Sequence, residues 1–302
     1  DERYVLMIQF VDFGKKYPAT VTMVIATVSL VLFVYVLGGF GLYFDYQNTS
    51  KPFVGNGPTM SDFIDALGAN RVLFWLIFPF VLVFFVFIAA VKWIHKRPVL
   101  SIFTGRNRFD WSRVVTSFLL VFGVLGLMTC LQVYFSEEIV WNFKWNTFIP
   151  LCVISFLMIP FQTSIEELLF RGYLLQGLKR KLGSNIHAVI LSGIFFGLIH
   201  FGNPEIEVIG YHILIYYVLI GIFLGCLTLF DNGMELSIGF HAANNIFAAL
   251  IVSSDWQVFQ TDALFIDYAA PEFTLSMFVV TFLFLLGLFF LFRRIYKWSS
   301  LK

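Results

Sequence analysis

Eight apolar runs, most of them close to the length of a membrane span, constrain this chain more than any other feature. They fall near residues 18–44, 72–94, 114–135, 148–170, 186–201, 211–230, 235–252 and 274–292, each bounded by charges or turn residues. About 18–20 apolar residues suffice to cross the hydrocarbon core of a bilayer as a helix. Within that core every backbone N–H and C=O must be satisfied inside the protein, which favours helices for such runs. Of 302 residues, 59% are hydrophobic and only 13% charged, where a soluble domain carries roughly a quarter charged. The expectation is an all-α polytopic membrane protein of about eight transmembrane helices. No repeat, low-complexity tract or linker divides it, so residues 1–302 read as a single transmembrane domain.

A net charge of +1 points to no partner, nucleic acid included, but the distribution of charge orients the spans. With a cytoplasmic amino terminus, all of the 20 Lys and Arg residues except Lys51, Arg71 and Lys144 fall on the cytoplasmic side. That is the bias cytoplasmic loops carry. Both termini are therefore expected in the cytoplasm, with the protein multi-pass in a cytoplasmic or inner membrane. The seven tryptophans fall near the proposed helix ends, where an amphipathic indole prefers to sit. Residues 98–113, with Phe103, Phe109 and Trp111 among Arg106, Arg108 and Arg113, read as an interfacial segment or a connecting loop. Cys130, Cys152 and Cys226 are scattered singly through apolar runs and suggest packing, not a disulfide framework.

An ionisable group at the centre of a membrane helix costs roughly 2.5–3.5 kcal/mol on insertion scales, so those that remain point to function. The fourth run ends in Ile165-Glu166-Glu167-Leu168-Leu169-Phe170-Arg171-Gly172. Adjacent carboxylates on a helix point about 100° apart. Glu167 and Arg171, spaced i, i+4, can pair and leave Glu166 as the free acid on another face. The fifth run supplies Phe196 and His200, and the seventh His241 and Asn245, again i, i+4.

Counting residues brings two of these groups to one depth. Glu166 lies 17 residues before Gly183 and His200 lies 17 after it, and Gly183 ends a basic stretch as a natural helix stop. An antiparallel hairpin turning there places both about 25 Å from the turn. Gly193, Gly197, Gly221 and Gly225 read as a small-residue packing seam. His241 follows the expected turn at Asp231-Asn232-Gly233 by about 12 Å of helix, so it can join the others only if that turn is recessed by some 13 Å. A recessed turn of that kind is expected to floor a water-filled cavity open to the cytoplasm.

Glu-Glu-x-x-x-Arg at Glu166, Glu167 and Arg171, then Phe-x-x-x-His at Phe196 and His200, then His-x-x-x-Asn at His241 and Asn245, resemble the three motifs of the CPBP family. That family holds the CAAX prenyl endopeptidases and the bacterial Abi proteins of bacteriocin processing and self-immunity. The resemblance covers roughly residues 160–250, inside a catalytic core expected at about 148–252. It implies an intramembrane endopeptidase acting on a membrane-embedded or membrane-associated peptide or protein substrate in the lipid bilayer. Glu166 with His200 would take a proton from water, His241 and Asn245 would stabilise the oxyanion, and Glu167 and Arg171 would orient them. Glu166, His200 and His241 also have the types of a three-ligand zinc site, so a divalent metal stays open, although no His-Glu-x-x-His appears. The rival readings are a non-catalytic immunity or scaffolding member, and a proton-coupled transporter using the same groups as a relay.

Overall fold

The computed structural model describes residues 9–49, 58–271 and 274–298; Lys51, which the charge count placed outside, is not among them. Seven of the helices in the described residues are long and apolar enough to cross a bilayer. They are α1 (Val21–Gln47), α2 (Ala69–Trp93), α3 (Trp111–Phe135), α4 (Trp145–Leu182), α5 (Asn185–Gly202), α6 (Ile213–Phe230) and α8 (Leu275–Tyr296). The protein is a polytopic helical membrane protein. Between α6 and α8 lies α7, Glu235–Leu250, which at 16 residues is too short to span a bilayer unaided.

α7 is buried on nearly every face. Ile238 joins the cluster built around Phe87, Leu168 and Ala188; Leu236 and Phe240 join that of Val121 and Leu285. Ile246 and Leu250 join the third, around Leu73 and Ile159. Lipid tails are as apolar as leucine, so these contacts hold by close packing and interhelical hydrogen bonds. The first helix shows the converse pattern: Val21, Phe33 and Phe44 each expose more than 60% of their surface, as lipid-facing side chains do.

α4 is a continuous rod of 38 residues, but its turns are not uniform. α-Helix from Trp145 to Glu167 gives way to π-helical turns over Leu168–Leu174 before α-helix resumes to Leu182. Such widened turns concentrate at functional sites. Gly183 then ends the rod at φ 71°, a left-handed conformation that a side chain would strain, and Ser184 caps α5 by accepting the His187 N–H. The expected hairpin is thus present. α5 packs on α6 through the glycine seam, where a β-carbon on Gly193 would lie 2.5 Å from the Ile222 side chain and one on Gly221 would lie 2.7 Å from the Gly193 carbonyl oxygen.

The turn after α6 is recessed along α4, as the depth count required. Gly172 faces Ile102 and Met234, and Gly183 lies roughly 16 Å further along the rod. This turn does not, however, floor a cavity open to the basic face. Residues 97–113 fold inward over it, burying Ile102 and Thr104, and Arg106 pairs with Asp231 (2.9 Å) and Glu235 (3.0 Å) while Arg113 also bonds Asp231. That segment is a plug tied down by ion pairs to Asp231 and Glu235, not a loose connecting loop.

A small sheet, which the apolar pattern did not suggest, lies at the other end of the helices. β1 (Ile139–Trp141), β2 (Val252–Ser253) and β3 (Phe265–Asp267) are ordered β1-β3-β2, antiparallel and then parallel. β-Branched and aromatic residues suit it, and the Trp141 and Phe265 rings meet at 5.2 Å.

Candidate active site

The site assembles where α4, α5 and α7 converge. Glu166 and Glu167 are buried at the end of the α-helical part of α4, with Arg171 one turn on inside the π-helical turns. The same oxygen of Glu167, Oε1, accepts from Arg171 Nη1 (2.9 Å) and from His241 Nδ1 (2.9 Å). The guanidinium of Arg171 also donates to the Gly221 carbonyl (3.0 Å) and lies 4.4 Å from the centre of the Phe196 ring. Arg171, Glu167 and His241 therefore form a buried triad across two helices, tied to α6 through Gly221.

That triad fixes the His241 ring. A carboxylate paired with arginine only accepts, so Nδ1 carries the proton and Nε2 is turned the other way. It faces Glu166, with 3.7 Å between Nε2 and Oε2. The gap is too long for a direct hydrogen bond, yet a single water can reach both atoms. Glu166 and His241 are thus together.

His200 follows another geometry. Its Nδ1 donates to the Phe196 carbonyl (2.7 Å), its ring stacks on Tyr217 at 4.3 Å, and Phe196 packs against both imidazoles. Nδ1 being committed to a carbonyl, Nε2 is the nitrogen left for chemistry. His200 lines the same cavity as Glu166 and His241, a space of about 430 Å³.

Asn245 is placed unexpectedly. Its amide donates to Gln162 Oε1 (3.0 Å), and Gln162 Nε2 in turn donates to Glu166 Oε1. Asn244 Nδ2 donates to Asn245 Oδ1 (3.2 Å). Three amides thus point their donors in one direction, ending on the carboxylate. Gln162 escaped the sequence reading, although the signal was there: an amide inside an apolar run, one helical turn before the unpaired acid. Tyr217, Asn203 and Glu205 also line the cavity and were likewise not singled out.

The cavity runs away from the basic face, toward residues 203–209 after α5 and 256–259 after β2, and laterally to Tyr35 and Met277. The expected opening at the Asp231–Glu235 turn is closed by the arginine plug. Among the described residues no group of three or more His, Cys, Asp or Glu side chains is placed to hold an ion. With both Nδ1 atoms bonded, Nε2 is the nitrogen that His200 and His241 would each offer to a ligand such as a zinc ion.

Helices, burial and site together define a multi-pass membrane protein with a histidine–glutamate centre facing an internal cavity. Residues 145–247 match the family described as type II CAAX prenyl endopeptidase, Rce1-like. The chain is also 30% identical over 172 residues to the uncharacterized protein YyaK of Bacillus subtilis (strain 168), a match covering 56% of this chain and 58% of that protein. No solved structure matches the chain.

Proposed function

We propose that this chain is an intramembrane endopeptidase of the CAAX-protease type, cleaving a peptide bond in a membrane-embedded or membrane-associated substrate with water activated at Glu166. What carries this reading is the opposition of Glu166 and His241 at 3.7 Å in the cavity wall, with Glu167 and Arg171 fixed behind them. A water bonded to both gives its proton to Glu166 as its oxygen attacks the scissile carbonyl. A protonated His241, its Nδ1–H held on Glu167, presents Nε2–H to the oxyanion that forms, in a site shielded from bulk water. Glu166 then returns the proton to the leaving amine as the C–N bond breaks. His200 Nε2 serves the same proton transfers from the facing wall.

For Asn245 the geometry favours a role different from the one implied by the motif. It acts on Glu166 through Gln162, which holds the carboxylate toward His241, and does not reach the oxyanion itself. The same bonds would also fasten three helices in a non-catalytic immunity or scaffolding protein, so activity must separate the two. Membrane peptides from cells carrying the parent are expected to show new termini that vanish in Glu166→Ala. Identical peptide populations would favour the scaffolding role.

A further inference from the structure

Two polar atoms in the cavity wall have no partner that the mechanism explains. Glu205 follows α5 and is buried to 9% exposure. Its Oε1 accepts the Val258 N–H (3.0 Å), which ties it to the segment after β2, while its Oε2 is buried and unbonded. Two residues before Val258, the buried indole Nε1 of Trp256 is unbonded as well. Both residues line the cavity that holds Glu166 and His200. An orphaned buried polar atom is costly, so two on one wall call for a reason.

Tyr217 connects this wall to the reaction centre. Its ring stacks on His200, and its hydroxyl accepts from Asn203 (3.2 Å), two residues before Glu205. The chemistry on offer is one acceptor and one donor. Among the described residues, no lysine or arginine lines the cavity, so an anionic chain end would find no counter-charge there. Burial holds the Glu205 carboxyl above the ordinary carboxylate range, which disfavours a bare anion waiting for a cation. A neutral group with one N–H and one C=O matches one acceptor and one donor in chemistry.

We propose that Glu205 and Trp256 form a main-chain subsite that takes one peptide unit of an extended substrate, Glu205 Oε2 accepting its N–H and Trp256 Nε1 donating to its C=O. The subsite sets which bond reaches Glu166 by holding the backbone at a fixed offset from the scissile carbonyl. It reads no side chain, so it contributes to binding and register and leaves sequence preference to the apolar lining. It rests on the peptidase reading above.

The test uses the full chain in vesicles of phosphatidylcholine and phosphatidylglycerol, with acetylated and amidated ten-residue peptides from a randomised apolar library. Glu205→Leu and Trp256→Phe are expected to raise KM about tenfold while kcat stays within about twofold. Glu205→Gln, which keeps an acceptor, should retain the parent KM, and thermal unfolding checks that each variant is folded. Esters replacing single amides should cost the parent about tenfold at one offset and cost Glu205→Leu nothing more there. An unmoved KM in both variants, or an ester penalty that survives in Glu205→Leu, overturns the subsite. So does a preference for free-ammonium peptides that disappears in Glu205→Leu, which would mark a cation site. If the parent cleaves no peptide, the peptidase reading fails by itself. Benzophenone peptides then decide the subsite separately: labelling of residues 254–259 that is lost in Glu205→Leu upholds it, and no labelling in the parent rejects it.

Discussion

At Glu167 one carboxylate oxygen serves both Arg171 and His241, with all three side chains almost wholly buried. Removing one member of a buried ion pair strands the other, at a cost of about 3–5 kcal/mol, whereas replacing both with apolar residues can be close to neutral. Arg171→Met is therefore expected to unfold far more readily than the parent, and Glu167→Leu/Arg171→Met to recover most of the loss in detergent thermal melts. Additive losses would contradict the pairing. The amide chain gives a second test. Gln162→Leu and Asn245→Leu should each lower kcat by about tenfold to a hundredfold, the range for a hydrogen bond to a charged group. If Asn245 acts through Gln162, the double variant should be no worse than either single one. Multiplying losses would return Asn245 to the oxyanion. Glu166, Glu167, Arg171 and the histidines were legible because charge in lipid is costly enough to announce itself. Residue spacing gives depth but not rotation about each helix axis, so it could not say that His241 faces Glu166 more closely than His200 does, or that Asn245 meets Gln162.

The α5–α6 seam is the element whose packing leaves least room. A side chain on Gly221 would meet the Gly193 backbone at 2.7–2.9 Å, and backbone cannot step aside as a flexible side chain can. Gly221→Val is expected to destabilise by about 1–3 kcal/mol or more, and to disturb Arg171, which bonds the Gly221 carbonyl. Gly39→Val in α1 meets nothing within 4 Å and should leave the melting temperature nearly unchanged. Similar losses in the two variants would show that the seam is not close-packed. The Gly183 hairpin and the recessed turn could be read ahead because helix rise converts residue counts into depth. The π-helical turns could not, since no local residue type demands them. Nor could the burial of α7, because a run of apolar residues looks alike whether lipid or protein surrounds it. The short strands lay between the long runs and left no periodic trace.

For the molecule as a whole, the charge bias proposes an orientation with Lys179, Arg180 and Lys181 in the cytoplasm. A cysteine at position 180 should then resist membrane-impermeant labelling in sealed cells, and one at position 262 should react. The opposite pattern would invert the topology. In this orientation the cavity, closed by Arg106 and Arg113 on the basic side, opens toward residues 203–209 and 256–259 and sideways into the bilayer past Tyr35 and Met277. Substrate would then enter from the membrane or from the non-cytoplasmic side, the reverse of what the sequence implied. The plug is what the sequence concealed: within that segment Arg106 and Arg113 are paired with Asp231, and Arg106 also with Glu235.

The central claim is that water activated at Glu166 cleaves a peptide bond. The most direct measurement is hydrolysis by the purified full chain in lipid vesicles made up in ¹⁸O-labelled water, parent against Glu166→Gln, with products read by mass spectrometry. The account predicts one ¹⁸O in each new carboxyl terminus and a rate at least about a hundredfold lower in Glu166→Gln at unchanged thermal stability. Equal rates for parent and Glu166→Gln would contradict it.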